Sequence, residues 1–137
     1  MDCVFCKIVK DEIPSYKVYE DQDILAFLDI QPLTQGHTLV IPKKHCQDIF
    51  DIGESDLQKV IVSAKNVSEK IKNTLKADGI RISQSNGKAA GQDVMHFHLH
   101  VIPRYTDNGL SNNPTLTTHL PKAGSDELLK VHEKIKM

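Results

Sequence analysis

The sequence lacks a charge excess of either sign: 17 Lys and Arg face 18 Asp and Glu, for a net charge of -1. That balance argues against a strongly basic nucleic-acid binder. It argues equally against attachment to a membrane surface by charge alone. Long apolar runs are missing too, so no segment reads as a bilayer-spanning helix. The first residues, MDCVFCKIVKDEIP, carry an acid at position 2 and charges every few residues, unlike a secretory signal, so a cytoplasmic, reducing compartment is expected. Three cysteines, an odd number, do not suggest a disulfide scaffold. There is no internal repeat, no low-complexity tract and no linker rich in Gly, Ser or Pro. What is present is the composition of a folded chain, 39% hydrophobic and 26% charged over 137 residues, enough for one domain spanning 1–137 and no second sizeable core. Histidine stands out, with seven in all and five of them between positions 37 and 100.

Residues 18–20 and 24–29 read as short strands around the charged turn Asp21, Gln22, Asp23, and 38–41 (TLVI) as the next strand, stopped by Pro42. A loop carrying Pro32 and Gly36 joins the last two. The clearest helix is 55–76, where Leu57, Val60, Ile61, Ala64, Val67, Ile71 and Leu75 fall on one face. Ser55 and Gln58 have the spacing of a capping box, and Gly79 is a candidate helix stop. Residues 79–85 (GIRISQS) alternate like a strand, 86–92 (NGKAAGQ) form a Gly-containing loop, and 94–102 (VMHFHLHVI) read as a further strand. Residues 103–124 are loop-rich, and 125–136 read as a short closing helix. Strands joined by short loops around one long helix predict an α+β domain with an antiparallel sheet of about five strands.

The most informative segment is the run His96, Phe97, His98, Leu99, His100, Val101, Ile102. In a strand, successive side chains point to opposite faces. Phe97, Leu99 and Val101 then belong to the core, packed most simply against the 55–76 helix, while the histidines line a groove on the other face. His96 and His100 would be on the order of 13 Å apart along a strand, too far to share one metal, so the three must divide into roles. A solvated face is the plain alternative, but Ser, Thr, Lys or Glu would serve there as well. Neutral imidazole can attack phosphorus to give a phosphohistidine-type intermediate that water later hydrolyses, and a neighbouring histidine can handle the proton. Loop 86–92 enters the same strand and offers backbone N–H groups and Gln92 to phosphate oxygens; without a Gly-Lys-Ser/Thr ending it is not a Walker A loop.

The run GQDVMHFHLHVI at 91–102 resembles the signature of the histidine triad (HIT) family, with apolar residues between and after three histidines. The segments FCKIV at 5–9, EIP at 12–14, VYED at 18–21, AFLDI at 26–30 and GHTLVIPKKH at 36–45 are similar, in order, to the Hint-type bacterial branch. The resemblance covers about 3–104, leaving 105–137 as a C-terminal extension. It implies a homodimeric α+β protein whose sheets join across the dimer. The implied activity is hydrolysis or transfer of a nucleoside monophosphate, AMP above all, from phosphoramidates, dinucleoside polyphosphates or acyl adenylates. It implies that His98 attacks the α-phosphorus, that His100 contacts the phosphate and aids proton transfer, and that His37 supports the histidine network. Asp29 would hold the ribose hydroxyls, with Phe5, Phe27, Ile30 and Leu39 forming the base pocket of a purine nucleotide. Asn86, Gly91, Gln92 and Val94 would contact phosphate. Asp93 stands where some relatives carry Ser or Thr near the leaving group; a carboxylate repels a polyphosphate but accepts a hydrogen bond from an amine. By their residue types alone, Asp29 also reads as a strand-end turn residue, Phe27 and Leu39 as plain core, and Lys43 and Lys44 as a solvated pair.

Cys3 and Cys6 form a C-x-x-C unit, half of a zinc site. In bacterial relatives and the related uridylyltransferases such a pair joins two histidines, which implies Cys3, Cys6, His45 and His96 as a closed structural zinc site. Free thiols and a redox pair are the alternatives; a thioredoxin-like role would place the pair at a helix start following a strand. Cys46 reads as a packed thiol, and His119 and His132 as ordinary surface residues. Two competing functions remain at this level: a metal-dependent hydrolase built on a histidine pair, and a non-catalytic nucleotide-binding or scaffold protein of the same fold.

Overall fold

The structure, a computed structural model, describes residues 3–106 and 124–137. Its elements run α1 (Val4–Val9), β1 (Lys17–Glu20), β2 (Ile24–Leu28), β3 (Thr38–Pro42), α2 (Glu54–Leu75), β4 (Gly79–Ser83), β5 (Leu99–Arg104) and α3 (Ser125–Ile135), with a 3-10 turn at Lys88–Ala90. The strands form one five-stranded sheet in the order β1-β2-β3-β5-β4, with every pairing antiparallel. The α+β architecture read from the sequence is therefore the observed one.

The sheet is buried on both faces where β2 and β3 lie at its centre, and their unbroken apolar runs reflect this. Ile24, Ala26, Leu28 and Val40 point to one side, where Val60, Ala64, Val67 and Ile71 of α2 and Leu128, Val131 and Ile135 of α3 close the main core. Leu25, Phe27, Leu39 and Ile41 point to the other side and meet Cys3, Phe5 and Ile8 of the N-terminal helix. Phe97, Leu99 and Val101 join the α2 side, as alternation predicts.

Several local expectations give way to tertiary contacts. The strand expected at 94–102 begins only at Leu99, because β3 pairs with β5 over Val40↔Leu99 to Thr38↔Val101 and the chain before it bonds elsewhere, Phe97 N–H donating to the Cys46 carbonyl at 2.8 Å. The same strand runs on through Pro103 and Arg104, two residues expected in the loop-rich tail, because β4 supplies partners as far as Gly79↔Arg104. Helix α2 starts after Gly53, so Ser55 lies inside it and makes no capping box; Glu54 and Asp56 supply the favourable negative charge instead. It ends at Lys76, in the left-handed region with φ 57°, and Gly79 opens β4 rather than stopping the helix. Ile61, expected on the inner face, is half exposed, and Ser63 is buried in the apolar stripe. His132 is not a surface residue: its Nε2–H donates to the Lys17 carbonyl at 2.7 Å, tying α3 to β1. Of the tail expected over 103–124, residues 107–123, His119 included, lie outside the described residues.

Helix α1 is an element that the sequence reading left out. Its signal is the apolar step Val4, Phe5, Ile8, Val9, which at three- and four-residue spacing buries Phe5 and Ile8. Cys3 caps it: the Cys3 sulfur accepts the Cys6 N–H. The C-x-x-C pair thus does sit at a helix start, though no strand precedes it among the described residues.

Candidate active site

Four segments converge on the α1 side of the sheet: helix α1, the β2 end at Asp29, the turn before β3 carrying His37, and the approach to β5. The turn is fixed by glycine. Gly36 has φ +94°, a backbone angle that L side chains rarely adopt and that calls for glycine; a Cβ there would also push against the end of the Leu75 side chain, 2.5 Å away. Thr38 Oγ1 donates to the Gly36 carbonyl at 2.9 Å and Thr34 Oγ1 to that of Pro103 at 2.6 Å, locking the turn against β5.

The histidine rings are oriented by backbone groups, and this fixes which nitrogens carry hydrogen. A carbonyl oxygen can only accept, so the 2.7 Å contact from His98 Nδ1 to the His96 carbonyl places a hydrogen on Nδ1, and in the neutral ring the lone pair is then on Nε2. His37 Nδ1 accepts the Leu33 N–H at 3.0 Å, so its hydrogen is on Nε2. That Nε2–H donates to His100 Nδ1 at 2.9 Å, which puts the His100 hydrogen on its own Nε2. In these neutral forms His98 carries its lone pair on Nε2, and the ring of His100, 5.0 Å away between centroids, carries an Nε2–H. Asp29 Oδ2 lies 3.7 Å from His37 Nε2, while Oδ1 accepts the Gln31 N–H at 2.8 Å. The strand-end turn role of Asp29 is real and leaves one carboxylate oxygen toward the histidines. Donor atoms of Asp29, His37 and His100 fall within 4.8 Å of one another, but His37 and His100 face each other across a shared hydrogen, a relay rather than a chelate.

A cleft of about 270 Å³ opens on this pair, walled by Phe5, Phe27, Ile30 and Leu39, with Asp29, Asp93, Val94, His98 and His100 among its lining. The ring of Phe5 stands edge-on to His98 (5.2 Å) and to Phe27 (5.4 Å), joining the aromatic wall to that imidazole. Asn86, Gly91 and Gln92 do not line the cleft. Asn86 Oδ1 accepts the Ile49 N–H, and the buried Gln92 accepts from Gly87 N–H and donates to the Gln47 and Val94 carbonyls, so both build the loop's own scaffold. Gly91 N–H donates to the Lys88 carbonyl. Lys43 is paired with Glu20 at 2.8 Å, on the protein surface.

The second cluster lies beside the first. Cys3, Cys6, His45 and His96 bring four donor atoms within 4.8 Å of one another. His96 donates Nε2–H to the Pro42 carbonyl at 2.8 Å, leaving Nδ1 bare. That nitrogen is 3.3 Å from Cys3 Sγ, 3.5 Å from Cys6 Sγ and 3.3 Å from His45 Nδ1, with Cys6 Sγ 3.3 Å from His45 Nδ1. A tetrahedral zinc separates N from N by about 3.4 Å and N from S by about 3.6 Å, so the spacing and the donor types fit the ion. Burial keeps His96 neutral, with its pKa pushed down to about 4, and raises the Cys6 thiol to about 11, so a metal would bind here with release of a thiol proton. Cys46 is a buried thiol outside the cluster, as expected, also raised to about 11 by burial.

A family model described as the HIT domain matches residues 10–107. The chain belongs to the HIT domain family. It is 49% identical over 110 residues to an uncharacterized HIT-like protein of Borreliella burgdorferi, covering 79% of each chain. It is 38% identical over 140 aligned positions to an adenosine 5'-monophosphoramidase of Candida albicans, covering 98% of this chain and 89% of that one. Among solved structures it is similar to a Zn-bound histidine triad family protein of Mycobacterium smegmatis, 35% identical, with a TM-score of 0.81 over 98% of this chain and 94% of the other. The histidine run that carried the resemblance is thus a HIT motif in a HIT fold. Among the described residues no helix is long and apolar enough to cross a membrane.

Proposed function

We propose that this HIT protein is a nucleotidyl hydrolase or transferase that cleaves a nucleoside monophosphate, AMP above all, from a P–N or phosphoanhydride-linked donor through a covalent intermediate on His98. The observation that carries the reading is the fixed tautomer: Nδ1–H held by the His96 carbonyl at 2.7 Å forces the Nε2 lone pair of a buried histidine toward a nucleotide-sized cleft. The Nε2–H of His100 is suited to a phosphoryl oxygen, whose charge grows in the transition state. His37 keeps His100 in that tautomer. Asp29 takes the ribose diol with its second oxygen, and Phe5, Phe27, Ile30 and Leu39 sandwich the base. Phosphate contacts from Asn86, Gly91, Gln92 and Val94 would exchange hydrogen bonds those groups now make within the chain. The monophosphoramidase name of the Candida relative supports the same bond class.

The reading includes a structural zinc held by Cys3, Cys6, His45 and His96, a site with four protein ligands and so no open position. Bound there, the ion supplies a rigid cross-link between α1, the stretch after β3 and the approach to β5. The cleft wall at Phe5 lies between the two cysteines, so their placement also sets the ring against His98. It includes a homodimer as well. The β1 edge is occupied by the C-terminus, with Met137 N–H donating to the Val18 carbonyl, whereas β4 is the other edge and carries a half-exposed Ile82. Among the described residues no strand pairs with the outer edge of β4, and such an edge with an apolar side chain is a pairing surface for a second copy.

The test is turnover of adenosine 5'-phosphoramidate by the purified protein, with a rapid quench to trap a nucleotide-modified histidine. Expected are AMP release and a label on His98; full activity in His98→Ala would overturn the mechanism. X-ray fluorescence should show zinc at one ion per chain.

A further inference from the structure

Cys3 and Cys6 take no part in the proposed attack on phosphorus, yet their setting suits chemistry of its own. The pair is close enough to close on itself: the two sulfurs lie within 4.8 Å of each other, and the Cys6 N–H donates to Cys3 Sγ at 3.3 Å. The pair can be reached: Cys3 and His45 line a cleft of about 530 Å³ with Gln47 and Met95, beside the cleft at His98. The pair also holds helix α1 in place. Among the described residues, the contacts within hydrogen-bond range that tie α1 and its cap to segments beyond position 13 are those of the two sulfurs. Cys3 Sγ and Cys6 Sγ lie 3.3 and 3.5 Å from His96 Nδ1, and Cys6 Sγ lies 3.3 Å from His45 Nδ1. Between the two cysteines in sequence stands Phe5, whose ring centroid is 5.9 Å from that of His96 and 5.2 Å from that of His98.

Building on the reading of this cluster as a structural zinc site, we propose that Cys3 and Cys6 are a site of reversible oxidation by a peroxide, and that closing their disulfide discharges the metal and loosens the nucleotide cleft at Phe5. In the first step the anionic Cys3 sulfur attacks one peroxide oxygen; the O–O bond breaks, hydroxide leaves with its electron pair, and Cys3 becomes a sulfenic acid. In the second step the anionic Cys6 sulfur attacks the Cys3 sulfur; the S–O bond breaks and a second hydroxide leaves. The two sulfurs are oxidised by one electron each, and the peroxide takes both. A small dithiol reverses the change by exchange. A sulfur bonded to sulfur is no longer an anionic ligand, so two of the four donors are lost together. Both sulfur ties of α1 go with them, and Phe5 and Ile8 are left to apolar packing against Leu25, Phe27 and Leu39. Cys46, a buried thiol outside the cluster, lacks this arrangement and serves as the control.

The experiment treats reduced, zinc-loaded protein with equimolar hydrogen peroxide. Trypsin cleavage after Lys7 releases both cysteines in one peptide, MDCVFCK. Mass spectrometry should find that peptide lighter by two hydrogens and Cys46 unchanged, and a chromogenic chelator should find the zinc set free; dithiothreitol should reverse both. AMP affinity by calorimetry should fall at least about fivefold on oxidation, as a less preorganised cleft implies, and the His98 ring nitrogen signals should move in NMR. Cys46→Ser should respond as wild type does. A sulfenic or sulfinic acid on one cysteine without the disulfide, zinc retained beside the disulfide, or a lost response in Cys46→Ser overturns the site. Unchanged AMP affinity and unchanged His98 signals overturn its link to the cleft. If the reduced protein binds no zinc, the metal reading falls by itself, and the peptide mass with the His98 signals still decides the inference. If the reduced protein binds no AMP, the nucleotide reading falls by itself, and the His98 signals decide the link.

Discussion

His96 and His98 are two residues apart, and the protein uses opposite nitrogens of the two rings. His96 gives its Nε2–H to the Pro42 carbonyl and keeps Nδ1 bare among two sulfurs and a second imidazole. His98 gives its Nδ1–H to the His96 carbonyl and keeps Nε2 bare in a cleft beside a carboxylate and a third histidine. Chemically identical side chains thus expose opposite nitrogens, one to two sulfurs and one to the cleft, because a backbone oxygen claims a different nitrogen in each. The two regions also share a part. The carbonyl that orients His98 belongs to His96, so the clamp at one site sets the ring at the other.

The strongest way to break the comparison is to remove the His98 imidazole, the proposed nucleophile, alone. His98→Ala should lower kcat on a phosphoramidate by at least about 10⁴-fold while circular dichroism and zinc content stay unchanged. Removing the clamp should give the opposite signature. Cys3→Ala or Cys6→Ala should abolish zinc binding and lower the melting temperature by about 10 °C or more, with a much smaller loss in kcat than the His98 variant. Equal losses of kcat in the two classes would show that the two regions are one catalytic unit.

A third prediction sharpens the role of His96 through pH. Its pKa in the folded chain is about 4 against an ordinary 6.5, because burial disfavours the charged ring. The unfolded chain therefore binds more protons between these values, and the metal-stripped protein should lose stability as pH falls from 6.5 to 4, by about 3 kcal/mol at most. Urea unfolding of chelator-treated protein checks this; His96→Asn should lack that part of the slope. Smaller still is Asp29→Asn, which should raise KM for an adenosine phosphoramidate by about tenfold and change kcat little, since the lost bond is to the ribose and is made before and during reaction alike. The smallest effect on chemistry belongs to Ile82→Asp, which should shift the protein toward monomer in size-exclusion with light scattering and leave kcat within about threefold.

Much of this was legible from residue order. Period-two alternation put Phe97, Leu99 and Val101 against α2, and the three- and four-residue apolar steps located that helix to within a residue or two. The motif residues reached the same cleft: Phe5, Phe27, Asp29, Ile30, Leu39, His98 and His100 line it together. The misses have a common cause. Strand ends depend on the partner strand, so 94–98 alternates without belonging to the ladder, and Pro103 and Arg104 pair because β4 reaches them. The bonds that Asn86 and Gln92 make to Ile49, Gly87 and Gln47 were likewise illegible, because Ile49 and Gln47 lie on a segment that only folding brings near. His132 looked like a surface residue for want of a partner in sequence; its partner is the Lys17 carbonyl, on β1.

The sequence by itself determined which residue types face which way, because side-chain direction follows the backbone period and burial follows apolarity. It also determined the inventory of donors: two closely spaced thiols and five histidines in the first hundred residues. Only the tertiary structure decided what each imidazole does. A ring's free nitrogen is chosen by the group that binds the other one, and Pro42, Leu33 and the His96 carbonyl reach those rings through the geometry of the folded sheet.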